Sequence, residues 1–79
     1  MAKTLSELKV GDTARVQGYQ ADTDYVARLV RLGLIPGTEL TVKRRAPLGD
    51  PIQISFRGYS LVLRPAEANH LLLEVVEPT

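Results

Sequence analysis

Residues 52–64 read IQISFRGYSLVLR. Apolar residues alternate with polar ones on both sides of a central glycine, and a period of two is typical of strands with one buried face. The pair Gly58-Tyr59 predicts a two-residue type II′ turn with glycine first. In that register Phe56 faces Leu61, and the apolar side chains of both segments share one face. We therefore predict a β-hairpin here.

Three other segments show the same alternation. It predicts a first strand at Thr13 to Tyr19, another at Glu39 to Arg45, and a last strand at Leu71 to Val76. Ahead of the first strand, Thr4 and Glu7 have the spacing of a capping box, which predicts a single turn of helix.

Residues 22–33 have the period of a helix instead. At 100° per residue the apolar side chains cover an arc of about 160°; they are Tyr25, Val26, Leu29, Val30 and Leu32. Gly33 follows where a left-handed C-cap would need glycine. We expect Val26, Leu29 and Val30 to pack on the sheet. The arc is wider than a small sheet can cover, so Leu32, Tyr25 or Leu34 is expected to stay exposed as a contact edge.

Two segments carry prolines between these elements. Leu34 to Gly37 predicts a type II turn, because proline presets φ at its second position and glycine accepts a positive φ at its third. Ala46 to Pro51 predicts a stiff loop, since its prolines exclude it from a sheet interior.

The order of elements is a strand, a helix and four short strands in 79 residues. A flat sheet of this size would leave one face wet and two long edges open. We therefore predict one domain, residues 1–79, that is mainly β. Its architecture is a small SH3-like barrel of about five strands, with one short amphipathic helix inserted after the first strand.

Composition argues against catalysis. The chain has no cysteine and one histidine, and its formal net charge is +1. It therefore lacks a thiol nucleophile, a histidine cluster for a metal and the bulk charge to hold a polyanion. We predict no enzymatic activity and no cofactor. No apolar run reaches the ~20 residues of a membrane span, and no signal peptide is apparent, which indicates a cytoplasmic protein.

Two binding alternatives remain open at this point. His70 with Glu67 or Asp50 could bind a divalent metal, although acids of this kind are more often paired or capping groups. Lys43, Arg44 and Arg45 could form a basic strip for RNA, but charged side chains on a solvent face also protect strand edges. We favour the solvated face.

Two motifs carry a family resemblance. Residues 29–37 read LVRLGLIPG and residues 46–51 read APLGDP, and this pair strongly resembles the FeoA family (ferrous iron transport protein A). The opening LSELKVGD at residues 5–12 and LVLR at residues 61–64 are similar to it as well. The resemblance therefore covers nearly the whole chain.

The resemblance implies an SH3-like barrel and a cytosolic accessory protein of ferrous iron uptake. It implies binding to the cytoplasmic, GTPase-containing part of the FeoB transporter, with a membrane contact only through that partner and no nucleic acid. An exposed helix edge could also self-associate. We predict docking through the helix end and the two proline segments, with the partner-binding residues Leu32, Gly33, Leu34, Pro36, Gly37, Pro47, Leu48, Gly49, Asp50 and Pro51.

A second reading follows from the same resemblance. Related domains occur at the C-terminus of iron-dependent repressors, so the alternative is a stand-alone SH3-like module that binds or senses a transition metal. An RNA-binding small barrel is a third candidate.

Overall fold

The computed structural model describes residues 3–48, 51–64 and 69–76. A 3-10 turn at Leu5–Glu7 precedes the first strand. The remaining elements are β1 (Thr13–Tyr19), α1 (Asp24–Leu32), β2 (Glu39–Arg45), β3 (Ile52–Phe56), β4 (Tyr59–Leu63) and β5 (Leu71–Val76). The predicted mainly β architecture, with about five strands and a helix after the first, is confirmed. Two of the predicted partner-binding residues, Gly49 and Asp50, lie outside the described residues.

The five strands form one antiparallel sheet in the order β4-β3-β2-β1-β5. The register shifts between Val16 and Gly18 in β1 and between Val42 and Arg44 in β2. Irregularities of this kind bend a strand and increase its twist. Inward-facing residues of all five strands belong to a single buried cluster, so the sheet curls around its own core in the manner of a small barrel.

The hairpin differs from its prediction in register. Its turn is Arg57-Gly58, and both residues have a positive φ (50° and 82°), as a type I′ turn requires. Phe56 therefore pairs with Tyr59, so the predicted pairing of Phe56 with Leu61 is wrong. A shift of two residues leaves the same face buried, so the hydrophobic pattern could not distinguish the two registers. The shift places Tyr59 in a strand instead of a turn.

Helix α1 ends at the C-cap that its sequence predicts, and Thr23 caps its start. The backbone N–H of Val26 donates to Thr23 Oγ1 over 3.1 Å, and Gly33 ends the helix with φ 109°. Val26 and Leu29 are buried against the sheet. Val30 is 41% exposed, however, and the expectation that it packs on the sheet is wrong because the apolar arc exceeds the area that the barrel covers.

Arg45 ties the end of β2 to the 3-10 turn. Its guanidinium donates to the carbonyl oxygens of Leu8 over 2.8 Å and Ser6 over 3.0 Å. The turn itself is closed by the capping box, in which the Thr4 N–H donates to Glu7 Oε1 over 3.0 Å. The hydrogen bonds from the Thr4 backbone and side chain lower the pKa of the Glu7 carboxyl below its ordinary value. Arg45 thus has a structural task.

Replacing Arg45 tests that task. Arg45→Met keeps most of the aliphatic stem but removes both donors, and we expect the free energy of unfolding to fall by about 1–2 kcal/mol. Urea unfolding measures it. Arg44→Met, at an exposed neighbouring residue, is the matched control and should stay within about 0.5 kcal/mol of the parent. Equal losses from both would refute the assignment.

Tyr19 connects β1 to the segment after α1. Its hydroxyl donates to the Leu34 carbonyl oxygen over 2.6 Å. Burial, with a smaller contribution from the nearby Tyr25, raises the pKa of Tyr19 to about 12. The folded protein holds the Tyr19 proton more tightly than the unfolded chain does. The contribution of the protonated hydroxyl to stability is therefore complete below the ordinary pKa of about 10 and is lost as the pH rises through 12.

We therefore expect Tyr19→Phe to cost about 1 kcal/mol at pH 8 and progressively less toward pH 12. Urea unfolding followed by circular dichroism across this range measures the difference between the two proteins. Tyr59→Phe, at an exposed tyrosine, should track the parent at every pH. A constant difference for Tyr19→Phe between pH 8 and pH 12 would contradict the assigned role of the hydroxyl.

Candidate partner-binding site

The predicted partner-binding residues form two groups at opposite ends of β2. Leu32, Gly33, Leu34, Pro36 and Gly37 precede the strand, whereas Pro47, Leu48 and Pro51 follow it. Seven strand residues separate the groups by about 20 Å. The two groups therefore do not make one continuous small patch.

The group before β2 surrounds the C-terminus of α1. Leu32 is 48% exposed, and Pro36 and Gly37 are exposed at the centre of a turn in which the Thr38 N–H donates to the Ile35 carbonyl over 3.0 Å. Gly37 has φ 94°, as the third position of a type II turn requires. The central pair of the predicted turn is thus confirmed, although the turn begins at Ile35.

Leu34 departs from its prediction. It was expected to form a contact edge with Leu32, yet its side chain is completely buried. The left-handed Gly33 turns the chain inward, and the Leu34 N–H donates to the Leu29 carbonyl over 3.0 Å. Leu34 therefore supports the site from the core and does not present its side chain to a partner.

A groove opens beside the C-terminus of α1. It has a volume of about 340 Å³ and is lined by Arg31, Leu32, Phe56, Tyr59, Ser60 and Leu61. We call it the α1–β4 groove. One wall comes from the helix and the other from the β3–β4 hairpin, so the groove depends on how α1 packs against the sheet. Phe56 is only 5% exposed at its base, and Tyr59 is 68% exposed at its rim.

Close packing holds these two walls together. A Cβ atom on Gly33 would lie 3.6 Å from Phe56 Cε2 and 3.9 Å from an Nη atom of Arg57. These are ordinary van der Waals distances, so a side chain would fit in this space, and the positive φ is what requires glycine at position 33. The rings of Phe56 and Tyr59 have centroids 6.3 Å apart and are tilted by 48° to each other. Their separation is within the range that aromatic pairs prefer.

Three apolar side chains of α1 and of the segment after it are exposed. Val30, Leu32 and Ile35 are 41%, 48% and 38% exposed, and Tyr59 lies across the groove. Sequence reasoning missed Tyr59 because it placed that residue in the turn. An exposed aromatic residue flanked by a glycine turn was the signal that could have identified it.

The group after β2 is smaller. Leu48 is 95% exposed, and the Ala46 N–H donates to the Pro51 carbonyl over 3.1 Å, which closes the loop. A shallow depression of about 260 Å³ lies beside it and is lined by Arg44, Arg45, Ala46, Pro51, Gln53 and Val62. Two donors of the Arg45 guanidinium are already used by the carbonyl oxygens of Leu8 and Ser6.

Of the three candidate metal ligands, the structure describes only His70. His70 is half-buried, and its carbonyl oxygen accepts a hydrogen bond from the Gln20 N–H over 2.7 Å. Asp50 and Glu67 lie outside the described residues. Within residues 3–48, 51–64 and 69–76, no three His, Cys, Asp or Glu side chains are grouped to hold a metal ion. Over the same ranges, no helix combines the length and apolar character of a membrane span.

Comparison with known proteins identifies a family. The FeoA domain profile matches residues 3–75. FeoA of Chlorobium tepidum, whose solution structure is known, is 42% identical; the alignment covers 94% of this chain and 70% of that one, with a TM-score of 0.84. FeoA of Stenotrophomonas maltophilia, a prokaryotic SH3-domain protein crystallised with zinc, is 29% identical, with coverage of 90% and 88% and a TM-score of 0.79.

Two further similarities extend the comparison. A Porphyromonas gingivalis protein that fuses Fe(2+) transport protein A to the Fe(2+) transporter FeoB is 31% identical over 72 residues. These cover 91% of this chain but only 8% of that protein. A manganese-dependent transcriptional repressor is 21% identical with a TM-score of 0.83, covering 95% of this chain and 37% of the repressor, and it shares the fold.

Proposed function

The chain belongs to the FeoA family, which is involved in ferrous iron transport, and we propose that it is a cytoplasmic accessory protein of a FeoB transporter. In this proposal it docks on the cytoplasmic, GTPase-containing part of the transporter and modulates transport. It acts by binding and carries out no chemical step of its own.

The observation that carries this proposal is the apolar surface exposed on both walls of the α1–β4 groove. Leu32 of the helix is 48% exposed and Tyr59 of the hairpin is 68% exposed, while the core beneath them is closed. Removing clustered apolar side chains from water lowers the free energy, so binding of a partner that covers them is favoured. An exposed tyrosine beside a recessed apolar groove is a common arrangement in protein interfaces.

The fusion protein of Porphyromonas gingivalis supports FeoB as the partner. Joining two interacting domains in one chain raises their effective concentration, so a fusion is favoured where the domains work together. In the proposal, the present chain makes the same contact with a FeoB transporter that the fusion makes within one chain.

Titration into the full transporter tests the proposal. The FeoB protein from the same genome is placed in lipid nanodiscs, and binding is measured by calorimetry without nucleotide, with GDP and with a non-hydrolysable GTP analogue. We expect saturable binding in at least one nucleotide state and a change in the rate of GTP hydrolysis or of iron transport. Absence of binding in every nucleotide state would refute the proposal.

Metal binding is the second candidate function, and the zinc complex of Stenotrophomonas maltophilia FeoA favours it. His70 is the first residue to monitor in this chain. Two-dimensional NMR with added Zn²⁺ or Mn²⁺ should show shifts or broadening localised around His70 if the chain binds metal. Uniform or absent changes would eliminate this candidate, and the transporter titration would be unaffected by that result.

A further inference from the structure

Strand β4 is an unprotected edge of the sheet. In the part of the chain that the structure describes, β4 pairs with β3 alone and is outermost in the strand order. Residues Tyr59–Leu63 contain neither a charged side chain nor a proline. Proteins normally protect exposed edges with such residues, because an open edge can pair with another chain.

The pairing register shows which backbone groups of β4 are available. Phe56 and Tyr59 flank the two-residue turn and form a hydrogen-bonded pair, so hydrogen-bonded pairs alternate from there along the hairpin. The intervening residues, Ser60 and Val62, therefore direct their N–H and C=O groups away from β3. Both residues are exposed, and Val62 is 58% exposed.

The α1–β4 groove lies beside this edge. Tyr59 and Leu61 belong to the inward face of β4 and line the groove opposite Leu32 of α1. An extended segment paired with β4 would continue the curled sheet, and alternate side chains of that segment would point into the groove. A partner segment at β4 would therefore find backbone hydrogen-bonding groups and a side-chain pocket next to each other.

Charge selects among the segments that could add there. Arg31 lines the groove, and Arg57 stands at the hairpin turn beside the helix end. In the described part of the chain, none of the residues that line the groove is acidic. A segment with carboxylates on either side of an aliphatic residue would complement this pattern.

We propose that an extended, acidic segment of the partner adds to the sheet as a strand next to β4, hydrogen-bonds to the backbone of Ser60 and Val62, and inserts an aliphatic side chain into the α1–β4 groove. This inference rests on the proposed function and identifies how the transporter is held. Main-chain hydrogen bonds provide affinity in this mode, and the groove provides specificity.

A second copy of this chain complements the edge less well. Its own β4, Tyr59–Leu63, has no carboxylate to place beside Arg31 or Arg57. An acidic segment is therefore the favoured occupant.

Proline substitution at the edge tests the proposal. Val62→Pro removes an N–H that points away from β3, where proline is tolerated in an edge strand, and Val62→Thr is the matched control that keeps the N–H. With the full transporter in nanodiscs, we expect Val62→Pro to weaken binding about tenfold or more and Val62→Thr to bind like the parent. Equal binding by all three would overturn strand addition while leaving the proposed function intact. Absence of binding by the parent would instead refute the proposed function.

Amide hydrogen exchange of the unmodified chain provides a second test that does not depend on the folding of a variant. On binding the transporter, the amides of Ser60 and Val62 should exchange at least about tenfold more slowly, because they gain main-chain partners. Saturable binding with unchanged exchange at both amides would overturn the proposal. Slowed exchange that appears with rising concentration of the chain alone would assign the edge to a second copy and would also overturn it.

Discussion

Leu32→Asp is expected to weaken binding to the FeoB transporter by about 30-fold or more, the loss that follows from removing an interface residue worth about 2 kcal/mol. Leu32 is the last residue of α1 and forms a wall of the α1–β4 groove. It is 48% exposed, so aspartate can remain solvated in the unbound protein. In the complex the carboxylate would be removed from water and placed beside an acidic segment. Calorimetric titration into the transporter measures the loss, and circular dichroism verifies the fold.

Leu48→Asp is the matched control for this variant. Leu48 is 95% exposed and lies in the loop after β2, at the opposite end of that strand from Leu32. The sequence predicted Leu48 as a partner-binding residue as well, but our proposal assigns docking to the α1–β4 groove, so we expect Leu48→Asp to bind the transporter like the parent. If Leu48→Asp weakens binding and Leu32→Asp does not, the docking surface lies at the other end of β2 and our assignment is wrong.

Leu34→Ala is expected to have the largest effect on stability. The side chain is completely buried in the single core, and removing it should cost about 2–5 kcal/mol through lost burial and the remaining cavity. A domain of this length has a total stability of only about 4–12 kcal/mol. The midpoint of thermal unfolding should therefore fall by about 10 °C or more.

The neighbouring Ile35→Ala provides the comparison for Leu34→Ala. Ile35 is 38% exposed, so its replacement should cost about 1 kcal/mol or less. Thermal unfolding followed by circular dichroism compares both variants with the parent. A Leu34→Ala protein as stable as the Ile35→Ala protein would show that Leu34 is accessible, as the sequence alone suggested.

Features with a local physical cause could be predicted from the sequence. Helix α1 begins after Thr23, which caps its first turn, and it ends at Gly33, because glycine readily takes the positive φ of a left-handed C-cap. The alternation of β1 and β2 predicts those strands because each buries one face. The signals for these elements, a cap or an alternation of apolar and polar residues, lie within a few residues of each other in the sequence.

Features that depend on contacts between distant segments could not be predicted. A slip of two residues in the hairpin preserves its buried face, so the location of Tyr59 depended on the turn geometry of Arg57-Gly58. The burial of Leu34 depends on how the chain leaves α1 and packs on the sheet. Arg45 looked like a surface cation because its acceptors, the carbonyls of Ser6 and Leu8, are almost forty residues earlier.

The candidate site illustrates the same division. Proline and glycine identified the turn at Pro36-Gly37 correctly, and the described residues of the second segment, 46–48 and 51, lie outside the strands as predicted. Their separation by the length of β2 became apparent only in the folded chain. The hairpin wall of the α1–β4 groove was missed for the same reason, because Tyr59 and Leu32 are brought together by the sheet.

Photocrosslinking in iron-starved cells tests the central claim most directly. The photoreactive residue p-benzoylphenylalanine replaces Tyr59 at the rim of the α1–β4 groove or, in a parallel strain, Leu48 at the far end of β2. The proposal predicts a covalent product with the FeoB transporter after irradiation from position 59 and none from position 48. A product from position 48 with none from position 59 would contradict it.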